Sequence, residues 1–200
     1  MSLRERRKQA TQAAIIEAAA ALFARPQGYE GTTTREIAQA AGIAAGTLFN
    51  YAPTKRDVVV MLWTDRIGAA ADEGWQAMAQ QDEPVDALLA LWRPIIAVYD
   101  ADHELGQVFL TSVVFATVDE PALVEVTDGF IARLAGALMQ WTPDGGMAAF
   151  NAFAAYYLVL TSLLAGRYPS TEVAFTLFES MLRTQQQGWS TRPGSSTGGG

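Results

Sequence analysis

Residues 28–58, which read GYEGTTTREIAQAAGIAAGTLFNYAPTKRDV, decide the fold. Thr33 and Glu36 have the spacing of a capping box, which predicts a helix from about Thr34 to Ala41. Gly42 suits the left-handed backbone that ends many helices. A further short helix is predicted from Ala45 to Tyr51, so this stretch indicates two short helices joined by a tight turn.

The two short helices have faces of different character. Ile37 and Ala38 give the first helix a small apolar inner face, and small residues let two helices cross closely. Leu48 faces inward from the second helix, whereas Ala45–Thr47 form an outer face with almost no side-chain bulk. Such a face can lie against base edges and methyl groups in the major groove of DNA.

A second capping box is formed by Thr54 and Asp57, and it begins a longer helix predicted to run to about Asp72. It leaves backbone N–H groups and Lys55 at a helix N-terminus, which is a site suited to a phosphate.

Outward from this stretch, nearly the whole chain has helical periodicity. Ile15, Ala19, Leu22 and Phe23 predict a first helix, which Pro26–Gly28 ends. Five longer helices are predicted over about 84–100, 104–118, 121–141, 147–166 and 171–187. The fold class is therefore all-α, about nine helices in all, with an N-terminal three-helix helix-turn-helix domain and a larger helical body. We expect the domains at residues 8–67 and 68–188, followed by a disordered Ser/Gly-rich tail at 189–200.

Charge separates the chain into two parts. The net charge is −7. Residues 1–60 hold eight basic and five acidic side chains, a balance of +3, and the remainder holds six basic and 16 acidic ones, a balance of −10. This asymmetry favours an N-terminal part, residues 1–60, that faces DNA and a C-terminal body that does not.

Other classes of protein are disfavoured. There is no cysteine, and His103, the only histidine, is expected in a loop. No nucleophile or phosphate-loop motif is found, so neither an enzyme nor a cofactor nor a metal site is predicted. The uncharged segment 145–166 is long enough to span a bilayer, but its polar residues favour a buried helix, no membrane partner and a cytoplasmic location.

The helix-turn-helix stretch resembles the TetR family of repressors. The matching residues stand in the family's order and spacing over roughly residues 8–67, and they are Gly28-Tyr29, Thr33, Ile37-Ala38, Ala41-Gly42-Ile43, Gly46-Thr47-Leu48-Phe49, Tyr51 and Lys55. Two positions depart from the family pattern: Ala44 stands where a capping serine is usual, and Ala52 where phenylalanine is usual. The missing cap weakens the start of the recognition helix by about 0.5–2 kcal/mol.

The resemblance implies which residues contact DNA. The base-reading candidates are Thr34, Arg35, Ala45, Gly46, Thr47 and Asn50. The phosphate candidates are Thr33, Phe49 through its backbone, Tyr51 and Lys55.

The resemblance also implies a ligand cavity in the body, whereas the two apolar C-terminal helices, together with a motif that binds palindromes as a dimer, favour a dimer interface. The expected cavity lining is Trp92, Tyr99, Phe109, Val113, Asn151, Phe153 and Tyr157; ordinary core packing is the alternative for each aromatic residue. The expected dimer face is Ala174, Leu177, Phe178, Met181 and Leu182, which follow i, i+3, i+4, i+7 and i+8; packing within one chain is the alternative.

The predicted function is a ligand-responsive regulator, a repressor that binds a palindromic operator in double-stranded DNA as a homodimer. A small apolar or aromatic effector is expected to release it. The alternative is a helical ligand-binding protein whose DNA-binding motif is vestigial.

Overall fold

The computed structural model describes residues 2–116 and 121–189, and within these ranges it is all-α, as predicted. The nine helices there are α1 (Leu3–Phe23), α2 (Thr34–Ala40), α3 (Ala45–Tyr51), α4 (Lys55–Met78), α5 (Pro84–Ala101), α6 (His103–Val114), α7 (Pro121–Leu138), α8 (Gly145–Leu164) and α9 (Thr171–Trp189).

The chain forms two compact units. Among the described residues, unit 1 comprises 2–69 and Asp102–Phe115, and unit 2 comprises Ala70–Ala101, Ala116 and 121–189. The predicted domain boundary near residue 67 placed α6 in the body, whereas the structure groups α6 with the N-terminal helices. The reason is its packing, because the ring of Phe109 on α6 stacks on Trp63 of α4, with centroids 5.8 Å apart.

Unit 1 is built on the apolar faces of its short helices. Ile15 of α1, Ile37 of α2 and Leu48 of α3 are buried in its core. α1 packs against α2 and α2 against α3, so the helix-turn-helix rests on α1. Val58 of α4 is fully buried in the same unit.

Unit 2 contains the helices α5, α7, α8 and α9. α7 packs against α8, and α8 against α9. Two glycines allow close helix crossings: a Cβ at Gly74 would overlap the carbonyl oxygen of Leu91, and one at Gly145 that of Ala135. The core of unit 2 includes Trp92, which is fully buried.

Several predicted helix ends differ from the structure. His103, expected in a loop, is the first residue of α6, because Asp102 caps that helix by accepting from the Leu105 N–H at 3.0 Å. α4 continues to Met78 rather than ending near Asp72. The predicted end of the sixth helix at Val118 lies outside the described residues, as do residues 190–200 of the predicted tail, whereas Trp189 closes α9.

One helix of the described ranges, α8, has the length and hydropathy to cross a membrane. Over half of its apolar window, 56%, is buried inside the protein. Burial of this kind is typical of the core helix of a helical bundle.

Candidate nucleic-acid interface

The turn between α2 and α3 has the geometry that the sequence predicts. Thr33 caps α2, its hydroxyl accepting from the Glu36 N–H at 3.2 Å while Glu36 accepts from the Thr33 N–H at 2.8 Å. Hydrogen bonds from the Thr33 hydroxyl and backbone hold the pKa of Glu36 below its usual value. Gly42 has a φ of 67°, in the left-handed region. Ala44 makes no side-chain cap to α3, as its methyl group requires.

The predicted DNA-contacting residues lie together in unit 1, along α2, α3 and the start of α4, and none is buried. The exposed ones are Thr33, Arg35, Ala45, Gly46, Phe49 and Asn50, and the half-buried ones are Thr34, Thr47, Tyr51 and Lys55. Phe49 is 63% exposed, which is high for a phenylalanine on a helix. A Cβ built on Gly46 meets nothing within 4 Å, so the outer face of α3 opens directly to its surroundings.

Lys55 occupies a more constrained position than its predicted phosphate role requires. Its Nζ donates to the carbonyl oxygens of Tyr29 at 2.6 Å and Glu30 at 3.2 Å. It also lies 4.1 Å from the centroid of the Tyr29 ring. A lysine ammonium has three donors, so one remains for a phosphate oxygen while the other two anchor the loop before α2.

The second capping box forms as predicted. Thr54 and Asp57 exchange hydrogen bonds, from the Thr54 N–H to Asp57 Oδ2 at 2.8 Å and from the Asp57 N–H to the Thr54 hydroxyl at 3.2 Å. The first turn of α4 is thereby fixed beside α3. The neighbouring Arg56 contacts α6 instead: its Nε donates to the buried Ser112 hydroxyl at 2.7 Å.

α6 adds further contacts to this end of unit 1. The Tyr29 N–H donates to Glu104 Oε2 at 3.4 Å. A shallow groove of about 370 Å³ lies between the Tyr29 loop, Arg56 and α6. The loop before α2, the start of α4 and α6 are thus tied together by polar contacts.

The structure brings together only part of the predicted cavity lining. In unit 2, Phe153 lies 4.9 Å from Tyr157 between ring centroids. Both are linked to Trp92 through Tyr156, which stacks on Trp92 at 5.5 Å. Tyr99 shares a side-chain hydrogen bond with Tyr156.

The other three predicted lining residues are not among these ring contacts of unit 2. Asn151 is exposed, and its carbonyl oxygen accepts from Gln185 Nε2 at 3.2 Å. Phe109 and Val113 belong to α6 in unit 1. The cluster also includes Tyr156 and Phe130, which are not among the predicted lining residues; Tyr156 stands three residues after Phe153, a helical spacing that could have indicated it.

The predicted dimer face needs a correction at residue level. Ala174, Phe178 and Leu182 are 1%, 0% and 0% exposed and pack within their own unit, and Met181 is half-buried. Of the five, only Leu177 lies on the surface, at 39% exposure. Leu177 is one of the exposed large apolar residues of the last two helices, which are Met147, Phe150 and Leu158 of α8 with Val173 and Leu177 of α9.

The second helix of this helix-turn-helix is exposed and carries small residues. This arrangement is typical of DNA-binding regulators that place such a helix in the major groove. Residues 15–61 match the family model described as "Bacterial regulatory proteins, tetR family". This match covers the helix-turn-helix and the helices on either side of it, so this part of the chain is similar to the DNA-binding domain of that family.

Solved structures share the fold over nearly the whole chain. The TetR-family repressor FadR from Thermus thermophilus, in complex with lauroyl-CoA, has a TM-score of 0.69 and 22% identity, covering 94% of this chain and 100% of that one. The fatty acid degradation regulator FadR from Bacillus halodurans has a TM-score of 0.64 and 23% identity, covering 91% and 97%. FadR from Bacillus subtilis, in complex with stearoyl-CoA, has a TM-score of 0.64 and 20% identity, covering 88% and 98%. A comparison with curated proteins finds no match.

Proposed function

We propose that this protein is a ligand-responsive repressor that binds a palindromic operator as a homodimer and that releases it when a small effector binds. The observation that carries the proposal is the bare outer face of α3. Ala45 and Gly46 are exposed with no side chain covering them, and Thr47 follows at half burial. An α-helix with such a face fits the major groove, where its backbone can approach base edges closely.

The polar groups around α3 support the same function. Arg35 on α2 is exposed and can form bidentate hydrogen bonds with guanine. The third donor of Lys55 and the first turn of α4 supply groups for phosphate oxygens. These contacts would set the register of α3 on the duplex.

Assembly as a dimer is supported by apolar surface on two neighbouring helices. On α8, the exposed Met147, Phe150 and Leu158 follow helical spacing, and Val173 and Leu177 do the same on α9. Large exposed apolar side chains in such rows are typical of protein–protein interfaces. A second copy of the chain on this surface would give the two recognition helices that a palindromic site requires.

The effector is proposed to bind at the aromatic cluster of unit 2. No described residue accepts a hydrogen bond from the buried Trp92 Nε1, which is a group that a ligand acceptor could satisfy. Burial raises the pKa of Tyr99 and of Tyr156, so both hydroxyls are neutral at physiological pH. An apolar or aromatic molecule with one hydrogen-bond acceptor suits these surroundings.

A fatty acyl-CoA is the second candidate effector, because the Thermus thermophilus and Bacillus subtilis FadR structures hold lauroyl-CoA and stearoyl-CoA. The charge of this chain after residue 60 is acidic, with 16 acidic side chains against six basic ones, which opposes the phosphates of CoA. Neutral aromatic compounds therefore remain the first choice.

The switch is proposed to act through α4 and α6. α6 is tied to the DNA-binding unit by the Arg56–Ser112 hydrogen bond and by the stacking of Phe109 on Trp63. A shift of α6 would therefore move the start of α4 and, with it, the neighbouring recognition helix. Because the protein acts in transcription, a cytoplasmic location is proposed.

Selection of duplexes from a random pool tests the DNA-binding function directly. The wild-type protein should enrich a palindromic sequence. Arg35→Ala should lower the discrimination between bases at one position of each half-site by about 1–3 kcal/mol. If no sequence is enriched over the starting pool, the alternative of a ligand-binding protein with a vestigial motif is favoured.

A further inference from the structure

We propose that the N-terminal turns of α1 form a second DNA-binding surface, in which Arg4 and Lys8 contact backbone phosphates beyond those reached by the helix-turn-helix. This inference rests on the proposed function, since it presupposes that α3 enters DNA. It concerns residues that precede the family match at residues 15–61.

The start of α1 is an ordered helix. The Ser2 hydroxyl accepts from the Glu5 N–H at 3.2 Å, and Glu5 Oε2 accepts from the Ser2 N–H at 2.6 Å. This capping box begins the helix at Leu3, twelve residues before Ile15, its first buried residue. At a rise of 1.5 Å per residue, α1 extends about 18 Å beyond the core of unit 1.

Two of the cations lie on the side of α1 that faces the helix-turn-helix. Lys8 stands seven residues before Ile15 and Arg4 eleven residues before it, which correspond to about two and three full turns. Both therefore continue the row of Ile15, Ala19 and Leu22, the buried face with which α1 packs in unit 1. Arg6, nine residues before Ile15, is about two and a half turns away and lies on the opposite side.

The charge at this end of α1 is not neutralised. Arg4, Arg6, Arg7 and Lys8 are all exposed, and no acidic side chain among the described residues forms an ion pair with them. Cations at a helix N-terminus are also unfavourable, because they oppose the positive end of the helix dipole. Arg4 and Arg6 lie in the first turn of α1, beside a well-capped start, and no described acidic side chain neutralises them, so an external anion is the partner that they fit.

Duplex DNA is the partner that this arrangement fits. The cations share unit 1 with α2 and α3, and their row continues the face that packs on the helix-turn-helix. A row of cations with one-turn spacing on a projecting helix suits phosphate oxygens, which it would contact without reading bases. Each such contact releases counterions and steepens the dependence of affinity on salt.

The test compares three single variants, Arg4→Gln, Lys8→Gln and Arg6→Gln, in fluorescence anisotropy titrations of a selected operator duplex at several salt concentrations. Each variant removes one charge within two turns of the same helix, so Arg6→Gln is the matched control. We expect Arg4→Gln and Lys8→Gln each to weaken binding about fivefold and to reduce the salt slope by about one unit, with the preferred sequence unchanged. The melting temperature should change little, because all three replaced side chains are exposed and form no ion pair with a described residue.

The outcomes separate this inference from the function on which it rests. Equal losses of operator affinity in all three variants would overturn it. Such a result would indicate general electrostatic attraction by the charge of α1, without contact between one side of the helix and DNA. Unchanged slopes in Arg4→Gln and Lys8→Gln, with the wild type still binding its operator, would overturn it while leaving the proposed function intact. A wild-type protein that binds no duplex would remove both.

Discussion

Lys55 is the residue in which a structural role and a proposed DNA contact are most closely joined. Two of its donors hold the carbonyl oxygens of Tyr29 and Glu30, and its charge lies over the Tyr29 ring. The loop before α2 is therefore anchored to the first turn of α4. A phosphate bound by the third donor would be held by a side chain that is already ordered, so little rotamer entropy is lost on binding.

Lys55→Ala should accordingly have two effects. The loss of the loop anchor should lower the melting temperature, because charge-assisted hydrogen bonds contribute about 1.5–3 kcal/mol. The loss of the phosphate contact should weaken binding to all duplexes about equally and reduce the salt slope by about one unit. Thermal unfolding and salt-dependent anisotropy measure the two effects separately. A lower melting temperature with an unchanged salt slope would assign Lys55 a structural role alone.

Sequence patterns predicted the position of Lys55 but not its partners. The capping box of Thr54 and Asp57 is local, four residues long, and forms as expected. The carbonyl groups of Tyr29 and Glu30 stand 26 and 25 residues away, and backbone acceptors leave no mark on a sequence. Contacts of this kind depend on how the loop folds back, which residue types alone do not encode.

Among the elements, α8 and α9 carry the surface proposed for dimerisation. Phe150→Glu with Leu158→Glu should split the dimer, because burying two unpaired carboxylates costs several kcal/mol. Both side chains are exposed within the chain, so the helical content should persist. Analytical ultracentrifugation and circular dichroism measure both quantities.

Val126→Glu on α7 is the control for this pair, since Val126 is exposed on a different helix. It should leave the association state unchanged. A Phe150→Glu/Leu158→Glu protein that sediments as a dimer would place the interface elsewhere.

The helical periodicity of α9 could not decide which face meets a partner. Phe178 and Leu182 form as regular a row as any interface, yet both are fully buried in their own chain. The amphipathic pattern reports only that a face is covered, whether by the same chain or by a second copy. The bounds of α3 were easier to predict, since Gly42 and Pro53 limit it on both sides.

The tyrosines of α5 and α8 predict a limit to stability at high pH. Burial, the largest cause, raises the pKa of both Tyr99 and Tyr156 above the usual value near 10. The folded state therefore holds protons that the unfolded chain releases, so the stability from these groups is complete below about pH 10 and falls as the pH rises. Tyr99→Phe with Tyr156→Phe should flatten this decline in melting temperature. A decline as steep in the double variant as in the wild type would show that other groups cause it.

For the whole molecule, the proposed function requires that effector and operator oppose each other. An effector that lowers operator affinity tenfold must itself bind tenfold more weakly to the DNA complex, a coupling of about 1.4 kcal/mol. Tryptophan fluorescence can follow this binding with and without operator duplex, for a neutral aromatic series and for lauroyl-CoA. Trp92→Phe should remove most of the signal if the aromatic cluster is the site. Equal effector affinities in the two conditions would leave a binding site without a switch.

The most direct test of the central claim, that α3 enters the major groove, is the operator affinity of Gly46→Glu. A Cβ at Gly46 meets nothing within 4 Å, and replacing a helical glycine stabilises the helix by up to about 1 kcal/mol, so the variant should fold at least as well as the wild type. Gly129→Glu on α7, whose Cβ position is equally open, carries the same change in unit 2 as a control. We expect Gly46→Glu to lose about 10³-fold or more in operator affinity, down to the level of non-specific binding, and Gly129→Glu to bind like the wild type. Wild-type affinity in a folded Gly46→Glu protein would contradict the account.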